Sequence, residues 1–463
     1  MAAAGGVGTG ALPRRQQTFM PPIEQLYALR PSALFRAFAG GGFAFWMACF
    51  YLLFEYVRPQ AIYAPLEVYP YWARTFILLA LIGWIFDSKR RFVWNKITTG
   101  IFVFLGVIIA SIYHAYWPEI SRENFMNFFN WVVIYFVLTN TVTTRHRVFI
   151  LLIIFMLASF KLSQYGAITW ASRGFAFADW GLAGPRGFFQ NPGELAIQMV
   201  VFAPMAFFFA LGVRKYVSTW LFYALMLMPV TAAMTIGGTN TRGGQIALAV
   251  QLLALLMTTR HRIKALLGVM LAAYIAFSLL PDEQMQRFES MGDDTTSQQR
   301  ILYWENGIQM IRDHPVLGVG YFNFVPYFNT FYPDDVILGW LRGAELPHNI
   351  TIQVGTDAGL VGLSVFALLI FWGFTSMRRL KKIADQRGDI FFSRMAVGMN
   401  LALLGYVVAG QFVTVAYYPY LWIHLTLCVC MLTAQRLEGS EPTLSARSAA
   451  PNLRSTQRPA AAT

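Results

Sequence analysis

Cysteine is nearly missing from this chain of 463 residues: Cys49, Cys428 and Cys430 are the three, and each lies inside an apolar run. That removes a disulfide framework and leaves no thiolate metal site or redox pair to be read. Charge is scarce as well, at 13% of residues, where a soluble globular chain carries about 25%. The motifs GxSxG and HExxH and the P-loop do not occur, so the nucleophile elbow, the zincin helix and the nucleotide cradle have no support. The first twenty residues are small and polar, with no apolar core of a cleavable signal, and the first long apolar run begins near Gly40. The first span is therefore expected to anchor the chain itself.

What is present is apolar: 56% of residues are hydrophobic and the mean hydropathy is +0.48. A spanning helix needs about 20 mostly apolar residues. Runs of suitable length stand at 39–57, 68–86, 97–117, 125–142, 148–168, 194–213, 216–236, 243–258, 263–280, 351–376, 391–416 and 418–436. The fold class expected is all-α, a polytopic membrane protein of about twelve helices. The formal net charge of +13 would suggest nucleic acid in a soluble protein, but here its distribution carries orientation. Tails and even-numbered loops hold 25 basic residues and odd-numbered loops nine. By the positive-inside rule both termini are expected to be cytoplasmic. All nine basic residues of the outer loops are arginine, the planar bidentate donor suited to phosphate and carboxylate. Arg74 and Lys161 fall within runs; each would cost about 2.5–3.5 kcal/mol facing lipid, so both are expected to face the interior or an aqueous cleft.

The domain organisation expected is a partly disordered cytoplasmic tail at 1–38, nine spans over 39–280, an outer loop at 281–350, three spans over 351–436 and a disordered tail at 437–463. A loop of that length is expected to hold structure of its own. Thr296 to Gln299 have the spacing of a capping box, and Ile301, Trp304, Ile308 and Ile311 follow at helical spacing. This predicts an amphipathic helix over about 297–312, stopped at His314-Pro315.

Four places could carry chemistry. In GGTNTRGG, Arg242 sits among Gly237, Gly238, Gly243 and Gly244. This is either an anion-binding concavity with close backbone approach or a tight turn whose arginine snorkels to head groups. In SQQRILYW, Arg300 occupies the first predicted helical turn, where a cation opposes the macrodipole. It fits a bound phosphate, or a surface ion pair with Asp293, Asp294 or Glu305. In ELPHNITIQVGTDAGLVGL, His348 stands where the outer loop re-enters the membrane, as a general base or as a local cap beside Asn349. In GPRGFFQNPGELA, a structured turn brings Arg186, Asn191 and Glu194 to the start of a span, where an acid suits the helix dipole. No outer loop contains a DxD or ExD triplet, and Asp293-Asp294 and Asp334-Asp335 read as solvated turns. No metal site is expected, and any phosphate chemistry falls to arginine.

Three of these elements recur together: Arg242 in a glycine-rich outer turn, Arg300 followed by WxxGxxMI and HPVLGVG, and His348-Asn349 with Gly359 ten residues beyond the asparagine. With twelve spans and one large loop before the tenth, the chain resembles the O-antigen ligase and O-antigen polymerase superfamily of bacterial membrane glycosyltransferases, over about residues 40–436. The resemblance implies inverting, metal-independent transfer of a glycan from undecaprenyl pyrophosphate to an acceptor hydroxyl at the periplasmic face of the inner membrane, without cofactor. His348 would be the base, Arg242 and Arg300 would hold the pyrophosphate with Arg186 assisting, and Asn349 and Glu194 would support them. The acceptor would be the lipid A core in a ligase, a second lipid-linked glycan in an O-antigen or exopolysaccharide polymerase, or a side-chain hydroxyl in a protein ligase. A twelve-span polysaccharide transporter or flippase is the reading from another class, but it would place its long loop centrally and inside.

Overall fold

The computed structural model describes residues 20–88, 90–176, 181–258, 295–339 and 342–438, with scattered positions between 263 and 274. The described residues are helical with no strand. In chain order the helices are α1 (Ile23–Tyr27), α2 (Pro31–Ala39), α3 (Phe43–Tyr56), α4 (Ala64–Glu67), α5 (Trp72–Ile85), α6 (Lys96–His114), α7 (Pro118–Thr141) and α8 (Arg145–Ser172). They continue as α9 (Pro192–Val213), α10 (Thr219–Gly238), α11 (Arg242–Thr258), α12 (Thr295–Asp313), α13 (Phe324–Phe331), α14 (Ile350–Gln386), α15 (Ile390–Ala409) and α16 (Pro419–Glu438).

Among the described residues seven helices are long and apolar enough to cross a bilayer: α6, α8, α9, α10, α14, α15 with its following turn, and α16. A bent pair, α2 with α3, turns by 118° around Gly42 at φ 81° and passes the same test when counted as one span. The runs at 68–86 and 243–258 become the shorter apolar helices α5 and α11. The run at 125–142 is the apolar part of α7, and most of 263–280 lies outside the described residues. The chain is a multi-pass membrane protein.

In a bilayer the packing between helices must come from close approach and satisfied polar groups. Helix α9 is central: 89% of its most apolar window is buried, against 33% for the peripheral α10. It lies on α15 where glycine allows it; a Cβ on Gly398 would stand 2.8 Å from Phe208 Cβ, and one on Gly212 2.9 Å from the Phe391 ring. Buried Gln251 of α11 donates at 2.9 Å to the Val200 carbonyl and at 2.9 Å to that of Leu401. One amide thus ties α9, α11 and α15. Thr235 of α10 donates to the Ser163 carbonyl of α8 at 2.8 Å, and Thr98 and Tyr135 join α6 to α7 at 2.9 Å.

Two within-span cations lie at the surface of the bundle rather than in its interior. Lys161 is exposed, on the stripe of α8 that carries exposed Leu157, Tyr165 and Ile168. The small residues Ser159, Ser163 and Gly166 take the faces packed in the bundle, leaving the long lysine stem to run along the outside. Arg74 is also exposed, because α5 begins at Trp72 and places it in a first turn, 5.2 Å from the Tyr71 ring centre.

From α12 onward the chain before α14 folds on the bundle as a small lobe, with a core of Tyr303, Met310, Val319, Phe324 and Phe328 packed with Ile352 of α14. Its attachment is a break in α14. Gly359 adopts φ 63° and ψ −167°, which frees backbone groups: Leu360 N–H donates to the Pro315 carbonyl at 2.7 Å, and the Thr356 carbonyl accepts from Val319 N–H at 2.8 Å. The HPVLGVG stretch is therefore docked to α14 through main chain. Helix α12 is already formed at Thr295, the first described residue of this stretch. Thr296 to Gln299 lie inside it and form no capping box at its start; buried Gln299 instead accepts from Ile337 N–H at 2.7 Å and donates to the Asp335 carbonyl at 2.8 Å, folding the return strand of chain over the helix.

Candidate functional site

Arg242 is the first residue of α11, after Asn240 in the left-handed region at φ 54°. The flanking glycines serve packing rather than ligand approach. A Cβ on Gly243 would lie 2.6 Å from Phe412 Cβ, one on Gly244 2.9 Å from Ala196 Cβ, and one on Gly238 2.5 Å from Leu182. The glycine run lets α11 begin tight against α9 and the 410–412 turn. The guanidinium that emerges there donates to Ser297 Oγ of α12 at 3.4 Å.

Ser297 and Arg300 are three apart on α12 and share a face. With Thr295 already helical, Arg300 lies beyond the first turn, so opposition to the macrodipole is weaker than the sequence suggested. It is half-buried, and its charge acts on the Glu345 carboxylate. Glu345 in turn stands beside His348, with 3.7 Å between Glu345 Oε2 and His348 Nε2. Arg242, Arg300 and His348 are thus linked through Ser297 and Glu345 at one end of the bundle.

The loop bearing His348 is fixed by its backbone. Glu345 N–H donates to the Tyr303 hydroxyl at 2.9 Å, the Trp304 indole donates to the Pro347 carbonyl at 2.8 Å, and His348 N–H donates to Thr414 Oγ1 at 2.7 Å. His348 has φ 49°, a left-handed conformation that a non-glycine residue holds only where its surroundings impose it. Asn349 is the N-cap of α14; its Oδ1 accepts from Thr351 and Ile352 N–H at 2.8 and 3.1 Å. The imidazole itself makes no cap. The approach of His348 first, and then the charge of Arg300, hold the Glu345 carboxyl below the usual carboxylate range against the opposing effect of its partial burial.

Arg186 and Glu194 lie at the same end but apart from this group. Val413, next to Phe412 under Arg242, is 3.1 Å from where a Cβ on Gly193 would be, which places the start of α9 beside the 410–414 segment. Glu194 is buried and closes a capping box with Asn191, accepting from its N–H at 3.2 Å. Arg186 is exposed, and among the described residues its side chain makes no hydrogen bond or ion pair to Arg242, Arg300 or His348. Its carbonyl accepts from the Arg58 guanidinium, which occupies space open only because residue 187 is glycine at φ 113°.

Sequence reasoning did not find Glu345, Ser297, Tyr303 or Thr414. Glu345 and His348 are three apart in a non-helical loop, where that spacing carries no facing rule, and Thr414 is 66 residues from its partner. Among the described residues no group of three or more His, Cys, Asp and Glu side chains is arranged to hold a metal ion.

No curated protein matches the chain. Residues 227–367 match the family model described as O-Antigen ligase, a stretch from α10 to the middle of α14 that includes Arg242, Arg300, Glu345, His348 and Asn349 and leaves out Arg186 and Glu194. That domain match supports the O-antigen ligase superfamily and, through it, an enzyme of membrane glycosyltransferase type.

Proposed function

We propose that this protein moves a glycan from undecaprenyl pyrophosphate to a hydroxyl of the lipid A core, with inversion and without metal, at the periplasmic face of the bacterial inner membrane. The observation that carries the reading is the convergence of two arginines from α11 and α12 on the side of α12 that faces the loop of His348. In the step, the acceptor hydroxyl gives its proton to His348 as its oxygen bonds to the anomeric carbon. The bond from that carbon to phosphate oxygen breaks, and the electron pair leaves with undecaprenyl pyrophosphate. Arg242 and Arg300 neutralise the charge that grows on the leaving group. Arg186 assists from the neighbouring turn, and membrane lipid surrounds the polyprenyl chain.

A deletion strain complemented with wild type or variants tests this, with lipopolysaccharide and lipid-linked glycan analysed side by side. Bare core with accumulated long lipid-linked glycan is expected. Core bearing a single repeat would instead assign the chain as an O-antigen polymerase, and unchanged lipopolysaccharide with lost exopolysaccharide would assign it to exopolysaccharide polymerisation. His348→Ala is expected to lose transfer by about 10²–10⁴-fold. Arg242→Ala and Arg300→Ala are expected to lose transfer with normal insertion, measured as turnover by purified protein. Full activity of His348→Ala would remove the proposed base.

A further inference from the structure

The two members of the Glu345 and His348 pair are each held through the main chain, on one side by Tyr303 and Trp304 of α12 and on the other by Thr414. Their side chains face each other at 3.7 Å, with 52% of the carboxylate and 30% of the imidazole exposed, so the pair borders open space and is not sealed in the bundle. Charged and titratable groups facing it come from α12, as Arg300 and Tyr303, with Arg242 of α11 joined one turn earlier through Ser297. The 410–414 segment presents Gln411 and Thr414 there, neither titratable. A neutral imidazole has one donor and one acceptor nitrogen, and the partner of one decides what the other can do.

We propose that Glu345 is a positioning residue for His348. Its carboxylate takes the Nε2 hydrogen, which leaves Nδ1 as the nitrogen that accepts the proton of the acceptor hydroxyl. When Nδ1 takes that proton the imidazolium carries a positive charge beside a carboxylate, and the pair tightens from its present separation as charge develops. The half-exposed carboxylate, held below the usual range by His348 first and then by Arg300, carries its negative charge before the reaction begins. The inference rests on His348 being the base, and it adds which nitrogen acts and what sets its basicity.

The test uses the full-length protein purified in detergent, with the producing strain's own lipid-linked glycan and lipid A core as substrates and kcat measured across pH. In Glu345→Gln the imidazolium loses its counter-charge. The acidic limb of the kcat profile is expected to move to lower pH by about half to one unit, and kcat at the plateau to fall by about tenfold. KM for the lipid-linked donor is not expected to rise, since both arginines remain. Glu345→Asp keeps the charge and is expected to keep the limb. A purely structural Glu345 would lower Tm and leave the limb where it was, and that result overturns the proposal. A wild-type profile in Glu345→Gln together with inactive His348→Ala overturns it too, while sparing the base. Full activity of His348→Ala overturns the base and the pairing with it.

Discussion

Gly359 is the residue on which the seating of the lobe on α14 depends most directly. Its φ of 63° with ψ of −167° is a glycine conformation, and a Cβ there would lie 2.3 Å from the Val316 carbonyl oxygen and 2.6 Å from Leu317 N. Gly359→Ala is therefore expected to cost about 1–3 kcal/mol from backbone strain alone, with the contact added. Thermal unfolding in detergent should show a lowered Tm, with faster protease cleavage in 314–347. At this scale the sequence was informative where residue type and position were both unusual. Arg242, Arg300 and His348 could be singled out because few basic residues lie on one side of the spans. Glu345 could not, because nothing local distinguishes a carboxylate that pairs from one that is solvated. The outward position of Lys161 was also illegible, since hydropathy says that a lysine is in a span but not which face it takes.

At the scale of elements, the apolar runs marked most helices to within a few residues, because each needs its own apolar length whatever it packs against. Ends were less legible. Asn349 does cap α14, and the cap adjoins both the left-handed His348 and its hydrogen bond to Thr414. Asn349→Ala is expected to cost about 1 kcal/mol of stability. Because the cap sets the start of α14 next to the proposed base, it should also lower transfer more than it lowers Tm; parallel melting and turnover measurements on the same preparation decide this. The capping-box spacing at Thr296 misled because the same hydroxyl and amide types serve helix interiors when a distant segment needs them. Gln299 is drawn to the backbone at 335–338, a demand made by the folded lobe and not by α12.

At the scale of the molecule, α14 runs from the candidate site to the opposite end of the bundle. At that far end Arg145 pairs with Asp389, and Gln435 donates to the same carboxylate at 2.6 Å. Single cysteines introduced at Asn306 and at Lys382, in a background with Cys49, Cys428 and Cys430 replaced by serine or alanine, are expected to react with an impermeant maleimide from opposite sides of the membrane. Labelling of both from one side would break the membrane placement of the site. The sequence by itself determined that the chain lives in a bilayer and where its longest apolar helices lie, because transfer from water to hydrocarbon is a sum over neighbouring residues. Only the tertiary structure decided that Ser297 and Glu345 link the two arginines to His348, that the glycines beside Arg242 seat a helix, and that Gly359 opens α14 to receive the lobe. These are contacts between segments far apart in the chain, fixed by close approach and by the need to satisfy backbone groups away from water.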